Sequence, residues 1–506
     1  MGQDPNEIPT QKLSFWRITV LVLVVAVVAA GVVKLVSHQS TAKAATPPPA
    51  PWFAPYVDAT LTPTTQFQMA SANPASSTVL GFVVADPTSA CTPSWGGAYT
   101  LDQAESDLSL DNQIARYRQL HGDVIVSFGG QANHELATAC ANVTDLTAAY
   151  NAVIDRYQVT TIDFDIEGPA LTDTASLARR AQAVHTVQSS VRSSGGNLAV
   201  WLTLPASPSG LTAAGVQVVE SMLAAHVDVA GVNLMTMDFG ASKPESTSMI
   251  AAVEQSLAAG QAQVQAAYAQ AGEQISSVQA WNKLGATPMI GQNDTANEQF
   301  TTGDARQLVG FAQDKQMGRL SFWSLNRDQP CGPNDPNPGV AANNCSGVAQ
   351  QALAFSTIFN QLPGRSASAA SAVTDAVATP KGPDDPATSP YPIWELSGNY
   401  PAGTKVVWKH TIYQAKWWNQ GEAPNTPVAT GSDTPWLLIG PVLSGQKAVT
   451  TPTLPVGTYP AWSATDAYPA GSQVLYQGVG YQAKWWNQGV TPDASDPGGS
   501  AWQAMS

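Results

Sequence analysis

The chain has 506 residues, a formal net charge of −14 and a pI near 4.7, yet only 12% of its residues are charged and 15 are tryptophan. The length admits one large domain with smaller ones beside it, and the acidic balance argues against nucleic acids and other polyanions as ligands. The four cysteines and six histidines show no Cys-x-x-Cys or His-x-x-x-His spacing, which argues against a zinc hydrolase.

Residues 1–15 form an expected short cytoplasmic tail. Ile18 to Val33 is uncharged and almost wholly aliphatic, bounded by Arg17 and Lys34, with Phe15 and Trp16 at its entrance. The stretch 16–37 is therefore expected to be a signal anchor or a signal peptide helix, near the ~20 residues that span a bilayer. Ala42-Lys43-Ala44 offers a small-x-small cleavage site, so anchoring and cleavage both stay open. Either way the bulk of the chain is expected outside the cytoplasm, secreted or tethered to the cell surface. An even cysteine count in an exported chain favours two local disulfides, Cys91 with Cys140 and Cys331 with Cys345. Thr46 to Pro51 reads as a stiff polyproline spacer, closing a linker over 38–51.

From residue 52 to 360, apolar runs alternate with helical patterns, the rhythm of a (β/α)8 TIM barrel, an α/β fold. Eight strands are expected at Trp52–Val57, Thr78–Val84, Val124–Phe128, Thr161–Glu167, Ala199–Leu204, Gly231–Met237, Thr287–Ile290 and Leu320–Leu325. Helical spacing is expected over Leu171–Ser194, Leu211–His226, Thr247–Ala271 and Asp304–Gln316, with Pro87 to Gln119 as loop plus helix. An open doubly wound sheet is the structural alternative, but no Gly-x-Gly-x-x-Gly motif supports it. Barrel sites gather at strand C-termini, and six of these strands end in polar or aromatic residues.

The fourth strand carries the chemistry. Side chains alternate along a strand, so Asp163, Asp165 and Glu167 share one face while Ile162, Phe164 and Ile166 share the other. A solvated edge strand or a calcium loop would also explain the acids. Crowded carboxylates, however, raise one another's pKa, and a carboxylic acid beside ionised neighbours is what glycosidic cleavage needs.

Asp163-Phe164-Asp165-Ile166-Glu167 resembles the signature of glycoside hydrolase family 18, the chitinase family, Asp-Gly-x-Asp-x-Asp-x-Glu, with Thr160 and Thr161 replacing the first Asp and Gly. Ser127-Phe128-Gly129-Gly130 is similar to the family's Ser-x-Gly-Gly on the third strand, and Asn233 to Asp238 to its sixth-strand motif. The resemblance implies that Glu167 is general acid and then base, and that Asp165 orients the substrate's acetamide. Asp163 would lie beneath, sharing a proton with Asp165. It further implies substrate contacts from Tyr56, Ser127, Gly129, Met235, Asp238, Asn293 and Trp323, the last flooring the subsite of the cleaved sugar. Many family members place a Tyr where Met237 stands, and Tyr56 is the expected source of the missing phenol. The implied reaction is retaining and substrate-assisted, with no enzymic nucleophile, no metal and no organic cofactor.

After Phe359 the composition turns to Ala, Ser, Thr, Pro and Asp, an expected linker over 361–388. The chain then repeats itself, with Tyr413 to Gly421 recurring identically at Tyr481 to Gly489. Two small all-β modules are expected at 389–440 and 457–506, joined by a linker at 441–456. The repeated Ala-Lys-Trp-Trp resembles chitin-binding modules of carbohydrate-binding families 5 and 12. That implies sugar contacts from Tyr413, Trp417 and Trp418, and from Tyr481, Trp485 and Trp486. On a strand, one Trp of each pair would be core and the other exposed. The linker has too little apolar content to dock the modules on the barrel, so they are expected to act as tethers. The leading reading is an exported, monomeric chitinase acting on chitin and N-acetylglucosamine oligomers. An endo-β-N-acetylglucosaminidase on glycans and a non-catalytic chitin-binding surface protein are the alternatives.

Overall fold

The computed structural model describes residues 51–333, 339–362, 383–386, 388–424, 434–446, 457–476, 479–492 and 501–504. The expected membrane helix and nearly all of its spacer lie outside the described residues, as does most of each later linker. Among the described residues no helix is long and apolar enough to cross a membrane.

Eight parallel positions close into a barrel. The first strand comes in two pieces, β1 (Trp52–Phe53) and β2 (Tyr56–Asp58). The others are β3 (Ser77–Asp86), β5 (Asp123–Gly129), β6 (Thr161–Asp165), β7 (Ala199–Ser207), β8 (Val229–Met235), β9 (Leu284–Thr287) and β10 (Arg319–Leu320). Each pairs in parallel with the next, and closure comes through the first strand: Trp52 opposes Arg319 on β10 while Tyr56 opposes Val79 on β3. Seven expected strands are present with ends shifted, while the seventh in order, expected at Thr287–Ile290, lies earlier at Leu284–Thr287 and shares only Thr287. The fourth stops at Asp165, not Glu167, and the eighth is regular only over Arg319–Leu320 before Leu325–Arg327 turn into a 3-10 helix.

Four helices between strands also match their patterns. They are α4 (Thr174–Ser193), α5 (Ala213–Ala224), α6 (Met249–Gln270) and α7 (Thr302–Lys315). Each starts at a side chain that accepts from a first-turn amide: Asp173, Thr212, Ser248 and Thr301. Such caps contribute about 1 kcal/mol each. Beyond the fourth-position helices, α3 (Val143–Tyr157) lies between β5 and β6. Pro87 to Gln119 departs from expectation. It forms β4 (Ser89–Trp95), antiparallel to β3, followed by α1 (Leu101–Leu108) and α2 (Leu110–Gln119). The connecting turn is held by Asp86, whose carboxylate accepts from the amides of Thr88 and Ser89, and such Asp/Pro/Ser/Thr chemistry hides a hairpin inside a loop-like composition. Both expected disulfides are present, Cys91–Cys140 and Cys331–Cys345.

The strands' two faces divide the labour. Ile162 and Phe164 point outward into the main core, where Phe164 stacks on Phe128 at 5.4 Å. Inside the barrel a second cluster of Trp52, Ala54, Tyr56, Val79, Ile125 and Trp201 supports the polar centre. Gly231 has no side chain because a Cβ there would stand 2.3 Å from the Trp201 ring.

Two small β units follow. The first pairs β11 (Lys405–Trp408), β12 (Thr411–Ala415) and β13 (Trp436–Pro441) antiparallel, over a core that includes Trp394, Tyr400, Val406 and Trp436. The second repeats this with β14 (Gln473–Tyr476), β15 (Val479–Ala483) and β16 (Trp502–Ala504) around Tyr468, Val474, Tyr481 and Trp502.

Tethering is corrected for the first unit, which docks on the barrel. The Asn112 amide on α2 donates to Pro441 O at 2.8 Å, and Gln446 donates to Glu105 at 2.6 Å. Lys405 Nζ donates to Ser109 Oγ at 2.7 Å. The linker's apolar content was the wrong quantity, because the unit's own edge makes the contact. Gln473 occupies the position of Lys405 in the second unit, so this contact is not part of the repeat. A Cβ at Gly440 would lie 2.1 Å from Asn112 O. Gly440→Val is therefore expected to separate the unit from the barrel, raising the radius of gyration in solution scattering. An unchanged scattering profile would refute the docking.

Candidate active site

Asp163 lies at the barrel's centre, fully buried. Four donors saturate it. Oδ2 accepts from Tyr56 OH at 2.8 Å and Ser127 Oγ at 2.7 Å; Oδ1 accepts from Thr203 Oγ1 and Arg319 Nη1, both at 2.7 Å. Arg319 is itself fully buried and also donates from Nη2 to Tyr56 OH at 3.0 Å. Burial works against the guanidinium charge, but Tyr56 and Asp163 outweigh it and raise the Arg319 pKa. Burial likewise pushes the Tyr56 phenol far up, so it stays a neutral donor.

Asp165 is next along the same face, 4% exposed, and its Oδ1 has no hydrogen-bond partner. Burial, then the neighbouring Glu167 and Asp163, hold its carboxyl well above the usual range. Its main chain is fixed by glycines: Gly130 N donates to Asp165 O at 2.9 Å, and a Cβ at Gly129 (φ +104°) would fall 2.1 Å from the same oxygen. Glu167 follows the strand end, half-buried, while Ile166 N donates to Thr203 O at 3.0 Å and extends the ladder. Burial and then Asp238 raise Glu167 to about 7. Three acids on one face thus occupy three environments.

The cleft above them has a volume of about 560 Å³, within the usual range for small-molecule sites. Asp165, Glu167, Met235, Met237, Asp238 and Trp323 line it. The Trp323 ring stacks on Phe82 with centroids 5.6 Å apart. The loop that carries Asp238 is hung on the segment after β9. Asp238 N donates to Asn293 Oδ1, Thr295 N donates to Asp238 Oδ1 at 2.7 Å, and the amides of Phe239 and Gly240 donate to Glu298.

Several expected substrate contacts are corrected. Tyr56 edges the cleft, but its hydroxyl is committed to Asp163 and Arg319, so it is not the missing phenol. Ser127 and Asn293 are buried and act on Asp163 and on the Asp238 loop. Gly129 lines the cleft and supports Asp165. Asp163 lies beneath Asp165 as expected, and each of its oxygens accepts from two donors. Arg319, Thr203, Asn233 and Glu298 were missed: each is one polar residue in an ordinary local context, and Arg319 is 156 residues from Asp163 in sequence.

In the small units, Tyr481 is buried and Tyr413 packs against the first unit's core, so neither is a free sugar platform. Both Trp of each pair are outward: Trp417 and Trp418 are 44% and 58% exposed, Trp485 and Trp486 49% and 62%. β12 ends at Ala415 and β15 at Ala483, so the pairs stand beyond the strands and alternation does not govern them.

The catalytic domain of a hyperthermophilic chitinase from Pyrococcus furiosus superposes with a TM-score of 0.53 at 30% identity, covering 62% of this chain and 96% of that one. The chain belongs to glycoside hydrolase family 18. Among curated relatives it is 36% identical over 291 residues to a probable bifunctional chitinase/lysozyme of Escherichia coli, covering 56% of this chain and 31% of the relative. It is 34% identical over 286 residues to Endochitinase 11 of Metarhizium anisopliae, covering 55% and 52%. The chain thus spans about a third and a half of the length of the curated relatives it matches. Residues 461–503 match the model of carbohydrate-binding module family 5/12, so this family 18 chain carries such a module around its second β unit.

Proposed function

We propose that this family 18 chain hydrolyses the β-1,4 bonds of chitin with retention, using the substrate's own acetamido group as nucleophile. The grading of the three acids carries the reading. Glu167, raised to about 7, holds a proton at neutral pH and can give it to the glycosidic oxygen. As the bond breaks, the acetamido oxygen attacks the anomeric carbon and forms an oxazolinium ion. Asp165, with an unpartnered carboxyl oxygen, accepts the acetamide N–H and stabilises that ion. Glu167, now ionised, takes a proton from water, which opens the ring with overall retention. Trp323 supplies an apolar floor for the sugar.

The exposed Trp417/Trp418 and Trp485/Trp486 pairs support chitin binding by both β units. Two linked sites gain avidity on an insoluble polymer. The two disulfides support export, and we retain 16–37 as a signal anchor or signal peptide.

Product stereochemistry tests the reaction. The newly formed reducing end is expected as the β-anomer in early NMR spectra of chitin oligomer digests, and fully deacetylated oligomers are expected to resist cleavage. Initial α-anomer, or equal cleavage of the deacetylated chain, would sink the substrate-assisted route.

A further inference from the structure

We infer that Arg319 is a positioning residue for this reaction: it locks Asp163 as a filled acceptor, so the proton that the acid pair exchanges is carried by Asp165. The inference rests on the chitinase reading of Glu167 and Asp165. Each Asp163 oxygen already takes two donors, and two of the three flanking hydroxyls are oriented by a further bond. Tyr56 OH accepts from Arg319 and so turns its proton to Asp163; Thr203 Oγ1 accepts from Asn233 Nδ2 at 3.0 Å and does the same.

A proton moving onto Asp163 would have to displace one of these donors and leave the Arg319 charge without its carboxylate. Arg319 cannot follow the change by moving. Its guanidinium carbon lies 5.1 Å from the Trp52 ring centroid and 5.4 Å from those of Tyr56 and Trp201, so aromatic faces box it in. The charged and titratable groups facing Asp163 are Arg319, Tyr56 and Asp165; those facing Asp165 are Glu167, Asp163, Arg319 and Tyr56. Arg319 is the single cation among them. It neutralises Asp163 and leaves Asp165 free to lose or keep a proton in step with the acetamide and Glu167.

The test is the pH dependence of turnover on soluble chitin oligomers by the full chain. Arg319→Met removes the counter-charge at similar length, so carboxyl groups that must ionise do so later. The acid limb of kcat/KM is expected to move up by about 1–3 units, while the alkaline limb, set by Glu167 near 7, holds. A misplaced acid pair is expected to cut kcat about 10²-fold with KM little changed. Arg319→Lys keeps the charge and is expected to restore the acid limb without restoring kcat. A folded Arg319→Met chain whose profile overlays the parent would reduce Arg319 to packing and overturn the inference. Should Arg319→Met fail to fold, carboxyl ¹³C titration of the parent chain decides: one step confined to Asp165 supports the lock, and matched two-step curves on Asp163 and Asp165 overturn it. An inactive parent chain would instead defeat the chitinase reading and leave the titration result standing.

Discussion

Glu167→Gln is expected to lower turnover of chitin oligomers by about 10²–10⁴-fold, the usual contribution of general acid catalysis, in a chain that still folds and still binds solid chitin. Gln keeps the shape but has no proton to give the leaving oxygen and cannot later take one from water. The parent's own pH profile carries the same information. Burial and Asp238 raise Glu167 to about 7, and the acid must be protonated to act, so activity falls as pH rises through that value. In Glu167→Gln any residual activity loses that limb. Turnover within a few fold of the parent, or an unchanged alkaline limb, would remove Glu167 from the role of acid.

Asp163→Ala should cost stability as well as activity. It strands the fully buried Arg319 guanidinium, together with the hydroxyls of Tyr56, Ser127 and Thr203, around an empty acceptor position. Removing one partner of a buried ion pair costs about 3–5 kcal/mol. Adding Arg319→Met to the same chain removes the unpaired charge and is expected to recover a large part of that loss, with activity still absent. Urea unfolding of the parent, the single and the double variant measures this. If Asp163→Ala unfolds at the parent's denaturant midpoint, the pair contributes nothing and the centre of the barrel is held by its aromatic residues alone.

Local patterns made the architecture readable. The apolar runs and helix starts between residues 52 and 360 mark periodic elements whose chemistry is contained within a few residues, such as Asp173 before α4 or Thr301 before α7. The hairpin of β3 with β4 was hidden because its turn residues and its Pro, Ser and Thr content mimic a loop, and its partner strand supplies the order. The paired tryptophans were read as strand residues because the repeat continues past Ala415. The strand ends there, and both rings turn outward.

By itself the sequence determined the barrel's rhythm, the three acids on one face of the fourth strand and the duplicated aromatic units, all set by spacing within short windows, and it favoured the cysteine pairs. Only the tertiary structure decided the environment of each acid. Asp163, Asp165 and Glu167 differ in burial and in donors drawn from β2, β5, β7 and β10, residues as far apart as Tyr56 and Arg319. Barrel closure brings those strands around one point, and pKa depends on distance through space. The same holds for the first β unit, whose docking depends on Lys405 meeting Ser109 just before α2 and Gly440 meeting Asn112 on it, a contact between surfaces about 300 residues apart along the chain that no local pattern encodes.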